Sequence, residues 1–222
     1  MATSTKTLPK TGLRGGPKPG RPNGNGSPNG NGHALTPRFS ASRYRIGMWV
    51  AMAAILMMFS ALSSAYIVRA ASSNDWRPLA IPPTLWVSTV LILVSSVALE
   101  IGRRKLKSNV TNSAKLWFWI SAALGLGFLA SQVFAWRQLV RQGIYVATNP
   151  HSSFFYLLTA THGVHLFGGL IALLYLAVRK LPRPEDNIAV AKGQAAADVM
   201  TLYWHFMDVL WLYVFFLLFF WK

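Results

Sequence analysis

The stretch Ser152–Val178, SSFFYLLTATHGVHLFGGLIALLYLAV, decides how the chain is read. At ~1.5 Å per residue it is long enough, as a helix, to cross a hydrocarbon core of ~30 Å. Yet it carries His162 and His165 near its midpoint, where a polar ring costs free energy unless a neighbour answers it. On a helical wheel His162, His165, Gly169 and Ala172 share a side with Leu158. Such a small, polar face is expected to meet a second helix. The matching stripe lies in the last apolar stretch, where Asp198, Thr201, His205 and Asp208 share a face and the last two sit near midspan. The two stripes predict a His/Asp contact between consecutive helices at a common depth.

Outward from this stretch the same pattern repeats. Overall, 53% of the residues are apolar and 13% charged. The charges crowd between five stretches at about 44–69, 83–103, 113–139, 152–178 and 197–221. None alternates polar and apolar faces as a soluble helix does. The expected fold is therefore all-α, a polytopic transmembrane bundle of five helices over residues 43–222. Residues 1–42 precede it as a disordered, basic, cytoplasmic tail. Its first 40 residues hold six Lys or Arg, no acid and the run PGRPNGNGSPNGNG, which can bury no core. The tail also lacks the apolar core of a cleavable signal peptide.

The net charge of +16 would suit nucleic acid, but the basic residues flank the spans, where they set topology and meet anionic lipid. No nucleic-acid partner is expected. Of the 22 Lys and Arg, 17 fall before span one and in the connections after spans two and four, against five on the opposite side. That asymmetry predicts a cytoplasmic N-terminus and an external Lys222. With no cysteine, disulfides, thiolate metal sites and CxxC redox chemistry are excluded.

Within the spans, polar residues fall on faces. Span two sets Thr89, Ser96 and Glu100 on one face and Thr84, Ser88 and Ser95 on a neighbouring one; span three aligns Ser121, Gly125, Gln132 and Trp136. Glu100 precedes Arg103 and Arg104 by three and four residues, the spacing of an ion pair at a helix end. Glu100, Arg103, Arg104, Tyr66, Arg69 and Trp204 are the residues expected at headgroup level. His151, in the connector RQGIYVATNPH, is expected to be a solvated interface residue.

Two chemical readings compete for the histidines. His162 and His165, with His205 or Asp208, could bind a metal or one haem. Two haems with paired axial histidines would need four imidazoles within the spans, and only three are there. The expected arrangement is an interhelix polar network of His162, His165, His205, Asp208 and Gln132 without a metal, because buried polar groups in membranes pair with one another. A transporter would show repeats or helices broken at midspan, and proline is absent from every span interior.

Longer motifs carry a resemblance. They are RIGMW (45–49), the spacing of Phe59, Tyr66 and Arg69, STVLILVSS (88–96) and LGLGFLASQVFAW (124–136), followed by NPHSSFFYLLTATHGVHLFGGL (149–170) and YWHFMDVLWLYVF (203–215). With these, Arg43–Lys222 resembles subunit III of the haem-copper terminal oxidases, in the bacterial five-helix form that lacks the first two helices of the seven-helix version. The resemblance implies a non-catalytic subunit in aerobic respiratory electron transport, where oxygen reduction is coupled to proton pumping. It implies a place in the bacterial cytoplasmic membrane, subunit I as the main contact, and subunit II and other oxidase subunits as further partners. It also implies phospholipid in a cleft between helices, and support for proton uptake and for the durability of the oxygen-reducing site. Haem and copper would belong to subunits I and II, with no cofactor in this chain. One position departs from the family, which usually carries an acid four residues before the phenylalanine matching Phe59; here that residue is Ile55. The nearest alternative is the related accessory subunit of nitric oxide reductase, and a more distant one is a stand-alone membrane haem protein.

Overall fold

The computed structural model describes residues 41–72, 83–108, 110–147, 149–179 and 187–220. They form five helices: α1 (Ala41–Ser72), α2 (Thr84–Lys107), α3 (Thr111–Arg141), α4 (Pro150–Val178) and α5 (Asn187–Phe220). All five are long and apolar enough to cross a membrane. The tail expected over 1–42 lies outside the described residues except for the start of α1.

Helix ends follow local chemistry. Asn149 caps α4 by accepting the His151 N–H at 3.0 Å, and Pro150 occupies the first helical position, where no donor is missed. Gly143, at φ +76°, closes α3: its N–H reaches the Val140 carbonyl and that of Ile144 the Leu139 carbonyl, both at 3.0 Å. The last turn of α2 carries Arg104, Lys105 and Lys107, cations that suit the negative end of the helix dipole.

Two boundaries differ from the expected ones by a turn or more. α2 runs a turn further, because nothing in RRKLK breaks a helix. α5 starts at Asn187, ten residues before the expected 197, once the prolines at 182 and 184 are passed. The intervening IAVAKGQAAA is rich in alanine, the strongest helix former.

α2 and α3 form the closest pair, α4 and α5 complete a four-helix group with them, and α1 packs only on α4 and α5. Trp204 and Trp211 fill the centre. Trp204 fits because α3 presents a glycine to it: a Cβ at Gly125 would lie 2.9 Å from its ring, whereas one at Gly169 of α4 would lie 2.6 Å from the Tyr203 ring. The end where α2 and α4 finish and α5 starts is called the basic end below.

Candidate functional site in the polar contacts between helices

α2 is the hub of the polar contacts, and its two hydroxyl faces serve two neighbours. Toward α3, Thr84 donates to Gln138 Oε1 at 2.9 Å, Ser88 accepts from Gln132 Nε2 at 2.9 Å, and Ser95 and Ser121 bond each other at 3.0 Å. Toward α5, Thr89 accepts from Trp211 Nε1 at 3.0 Å and Ser96 Oγ lies 2.6 Å from His205 Nδ1. Each bond spans two helices, so each fixes the rotation of one helix against the next.

At the basic end the α5-facing side of α2 becomes ionic. Arg103 makes a two-bond contact to Glu100 at 2.7 and 2.8 Å, and Arg104 reaches Glu100 at 2.7 Å. Arg103 also bonds Asp198 of α5 at 2.9 Å, and Lys107 joins Asp198 at 2.8 Å. The Arg103–Asp198 bond was not foreseen. Its signal was the alanine run that carries α5 back to Asn187 and so sets Asp198 within a helix.

The expected His/Asp contact between α4 and α5 does not form. His162 is fully buried and neither ring nitrogen has a hydrogen-bond partner. Its ring is walled by Phe59 of α1, Phe128 of α3 and Trp211 of α5, with centroids 6.5, 5.8 and 5.1 Å away. The bulky indoles of Trp204 and Trp211 take the α4-facing side of α5. Asp208 is turned toward α2, beside Ser96, and its oxygens complete no hydrogen bond. His165 is half-buried, with Nδ1 2.8 Å from the Thr161 carbonyl of its own helix. The α4–α5 polar link is instead Tyr203, whose hydroxyl donates to the His165 carbonyl at 2.8 Å.

Three residues expected at the membrane surface lie inside. His151 is 1% exposed, enclosed by the first turn of α4 and facing Tyr66 at 5.9 Å. Tyr66 is wholly buried, against His151 and Phe154 as well, and Trp204 belongs to the core. Their aromatic bodies fill space between helices, which outweighs the preference of their polar tips for headgroups. Arg69 and Arg104 are exposed.

Three hollows open near the basic end. One of about 740 Å³ is lined by Arg45, Arg103, Arg104, Lys107, Thr201 and His205. A groove of about 510 Å³ adjoins it along α2 and α5, with Leu93, Val97, Val209 and Leu212 as walls and Ser96, His205 and Asp208 as polar lining. A slot of about 410 Å³ between α1, α4 and α5 has Tyr175, Arg179 and Lys192 above Ala172, Ala196 and Met200. No cluster of three or more histidine, aspartate or glutamate side chains able to hold a metal occurs among the described residues.

Comparison with known proteins extends the picture. The family described as "Cytochrome c oxidase subunit III" matches residues 36–222. "Cytochrome c oxidase subunit 3" of Thermostichus vulcanus is 32% identical over 177 residues, which cover 78% of this chain and 85% of the relative. The protein of the same name from Bacillus sp. (strain PS3) is 30% identical, covering 77% and 82%. "Probable cytochrome c oxidase subunit 3" of Mycobacterium tuberculosis (strain ATCC 25618 / H37Rv) is 30% identical over 202 residues, 86% of this chain and 96% of the relative. Nothing in these matches favours an accessory subunit of nitric oxide reductase.

Proposed function

This chain belongs to the cytochrome c oxidase subunit III family, and from that premise we propose that it serves its terminal oxidase complex as a non-catalytic subunit. The observation that carries this is a family match spanning all five helices, interior motifs included. Haem and copper then sit in subunits I and II. The arrangement of the histidines supports this: His162 is shut in by three aromatic rings, while His165 and His205 are tied to separate partners on separate helices. Subunit I is the main contact, with subunit II and other oxidase subunits beyond it. Orientation follows the charge asymmetry, with the basic end cytoplasmic and the C-terminus external.

Phospholipid is the proposed ligand. Arg104, 75% exposed at its side chain, and Arg45 offer charge to an anionic headgroup at the 740 Å³ hollow. Arg103 holds that hollow's shape through Glu100 and Asp198. The slot between α1, α4 and α5, cationic at its mouth and apolar below, fits a second lipid. His162, His165, His205, Asp208 and Gln132 then act as packing and positioning groups, not as ligands.

The test is purification through a tag on this chain from its native membranes. The expected product contains the catalytic subunits with their haem and copper and bound phospholipid, while the chain expressed alone shows no haem absorbance. Removing the chain is expected to leave oxygen reduction intact at first and to shorten its lifetime during turnover. Haem bound by the isolated chain would overturn the reading.

A further inference from the structure

The α2–α5 groove brings an imidazole and a carboxylate to membrane depth on one outward face of the bundle. Along α5, His205 is about 10 Å and Asp208 about 15 Å beyond Asp198, well inside a hydrocarbon core of ~30 Å. His205 is exposed there. Asp208 is 4% exposed, its carboxylate enclosed beneath the groove with no completed hydrogen bond. Other outward faces present groups that acyl chains can cover: Leu56 and Met57 on α1, Leu126 and Phe134 on α3, Val164 and Phe167 on α4. The exposed hydroxyls of Ser60 and Ser72 are bonded to their own helix. The slot between α1, α4 and α5 has only apolar side chains below its cations. Acyl chains offer no hydrogen bond, so methylenes laid along this groove would leave the imidazole unanswered.

We propose that the α2–α5 groove seats a transmembrane helix of a partner oxidase subunit, and that this helix brings a hydrogen-bonding side chain to His205. Ser96 Oγ lies 2.6 Å from His205 Nδ1, which leaves Nε2 as the ring nitrogen open to the groove. The missing group is a hydrogen-bonding side chain, a hydroxyl, indole, amide or charged group. The apolar walls, Leu93, Val97, Val209 and Leu212, suit the rest of such a helix. The inference rests on the oxidase reading and names the face by which the subunit joins its complex.

The experiment places a photoactivatable phenylalanine derivative at Val97 or Val209, 61% and 65% exposed beside the groove, and at Val164, 69% exposed on α4. Intact complex is irradiated in native membranes and the adducts are mapped. The two groove positions are expected to join a transmembrane segment of another oxidase subunit that carries a hydrogen-bonding side chain within about one turn of the crosslink. Changing that side chain to leucine, or His205→Ala, is expected to speed loss of this subunit in detergent by roughly three- to ten-fold, in line with interhelix hydrogen bonds in membranes. The double variant should be no worse than either alone. Lipid adducts at both groove positions, with protein adducts only at Val164, would overturn the inference, and so would a seated helix with no hydrogen-bonding side chain. A tagged chain that brings down no oxidase subunit would instead overturn the oxidase reading itself, so the two failures are distinct.

Discussion

A methyl group at Gly125 would overlap the Trp204 indole, which is wholly buried and cannot swing aside. Overpacking of this kind costs about 1–3 kcal/mol. Gly125→Ala should lower unfolding stability in mixed detergent micelles by that amount, whereas Gly168→Ala, with nothing within 4 Å, should be neutral or better. His162→Phe should stay within about 1.5 kcal/mol of the native chain, because the site is three aromatic walls and offers no hydrogen bond. Elemental analysis of the complex should find the same metal content in both; loss of one equivalent would make His162 a ligand. Ile55, 9% exposed, stands where the family resemblance leads one to expect an acid. Ile55→Glu should reduce the amount of assembled subunit, as an intramembrane carboxylate costs about 2.5–3.5 kcal/mol. Turnover per assembled complex should be unchanged, and a large, pH-dependent gain would show that the missing acid limits proton uptake. The Glu100 pair with Arg103 and Arg104 was legible in sequence because helical spacing alone fixes it. The surroundings of His162 were not, because its neighbours come from three other helices, and a wheel drawn for one helix is silent on how the next is rotated.

At the scale of elements, α2 shows how far a pattern of hydroxyls can be read. Two adjacent faces were visible in the sequence; which helix each would meet was not, since that depends on the order of packing around the bundle. The ionic link from α2 to α5 sits at the surface, with side chains of Arg103, Lys107 and Asp198 27%, 44% and 38% exposed. Exposed pairs of this kind are typically worth about 0.2–1 kcal/mol. A double-mutant cycle of Arg103→Ala with Asp198→Ala should give a coupling in that range that shrinks with added salt, and a salt-independent coupling above it would mean the pair is shielded within the complex. The start of α5 was misplaced because charge and proline mark where a span ends, whereas the helix continues outside the hydrocarbon on alanine propensity alone.

For the whole molecule, topology is the prediction that the lack of cysteine makes easy to test. A single cysteine at Lys105, exposed at the basic end, should resist a membrane-impermeant thiol reagent added outside intact cells. One at Gln142, exposed at the opposite end, should react. The reverse pattern would invert the bundle and the positive-inside assignment with it. The number of spans was readable because insertion depends on local runs of apolar residues. The packing order was not, and it has a consequence for biogenesis. α1 is the first span to leave the ribosome, yet its partners within the chain are α4 and α5, the last two made. While α2 and α3 zip together, α1 must wait in the bilayer as an unattached span. It is equipped to do so, since the hydroxyls of Ser60 and Ser72 are satisfied by its own carbonyls. A nascent chain halted before α5 would hold a paired α2 and α3 and give α1 only its smaller contact with α4, so α1 is fully seated only once the last helix is made.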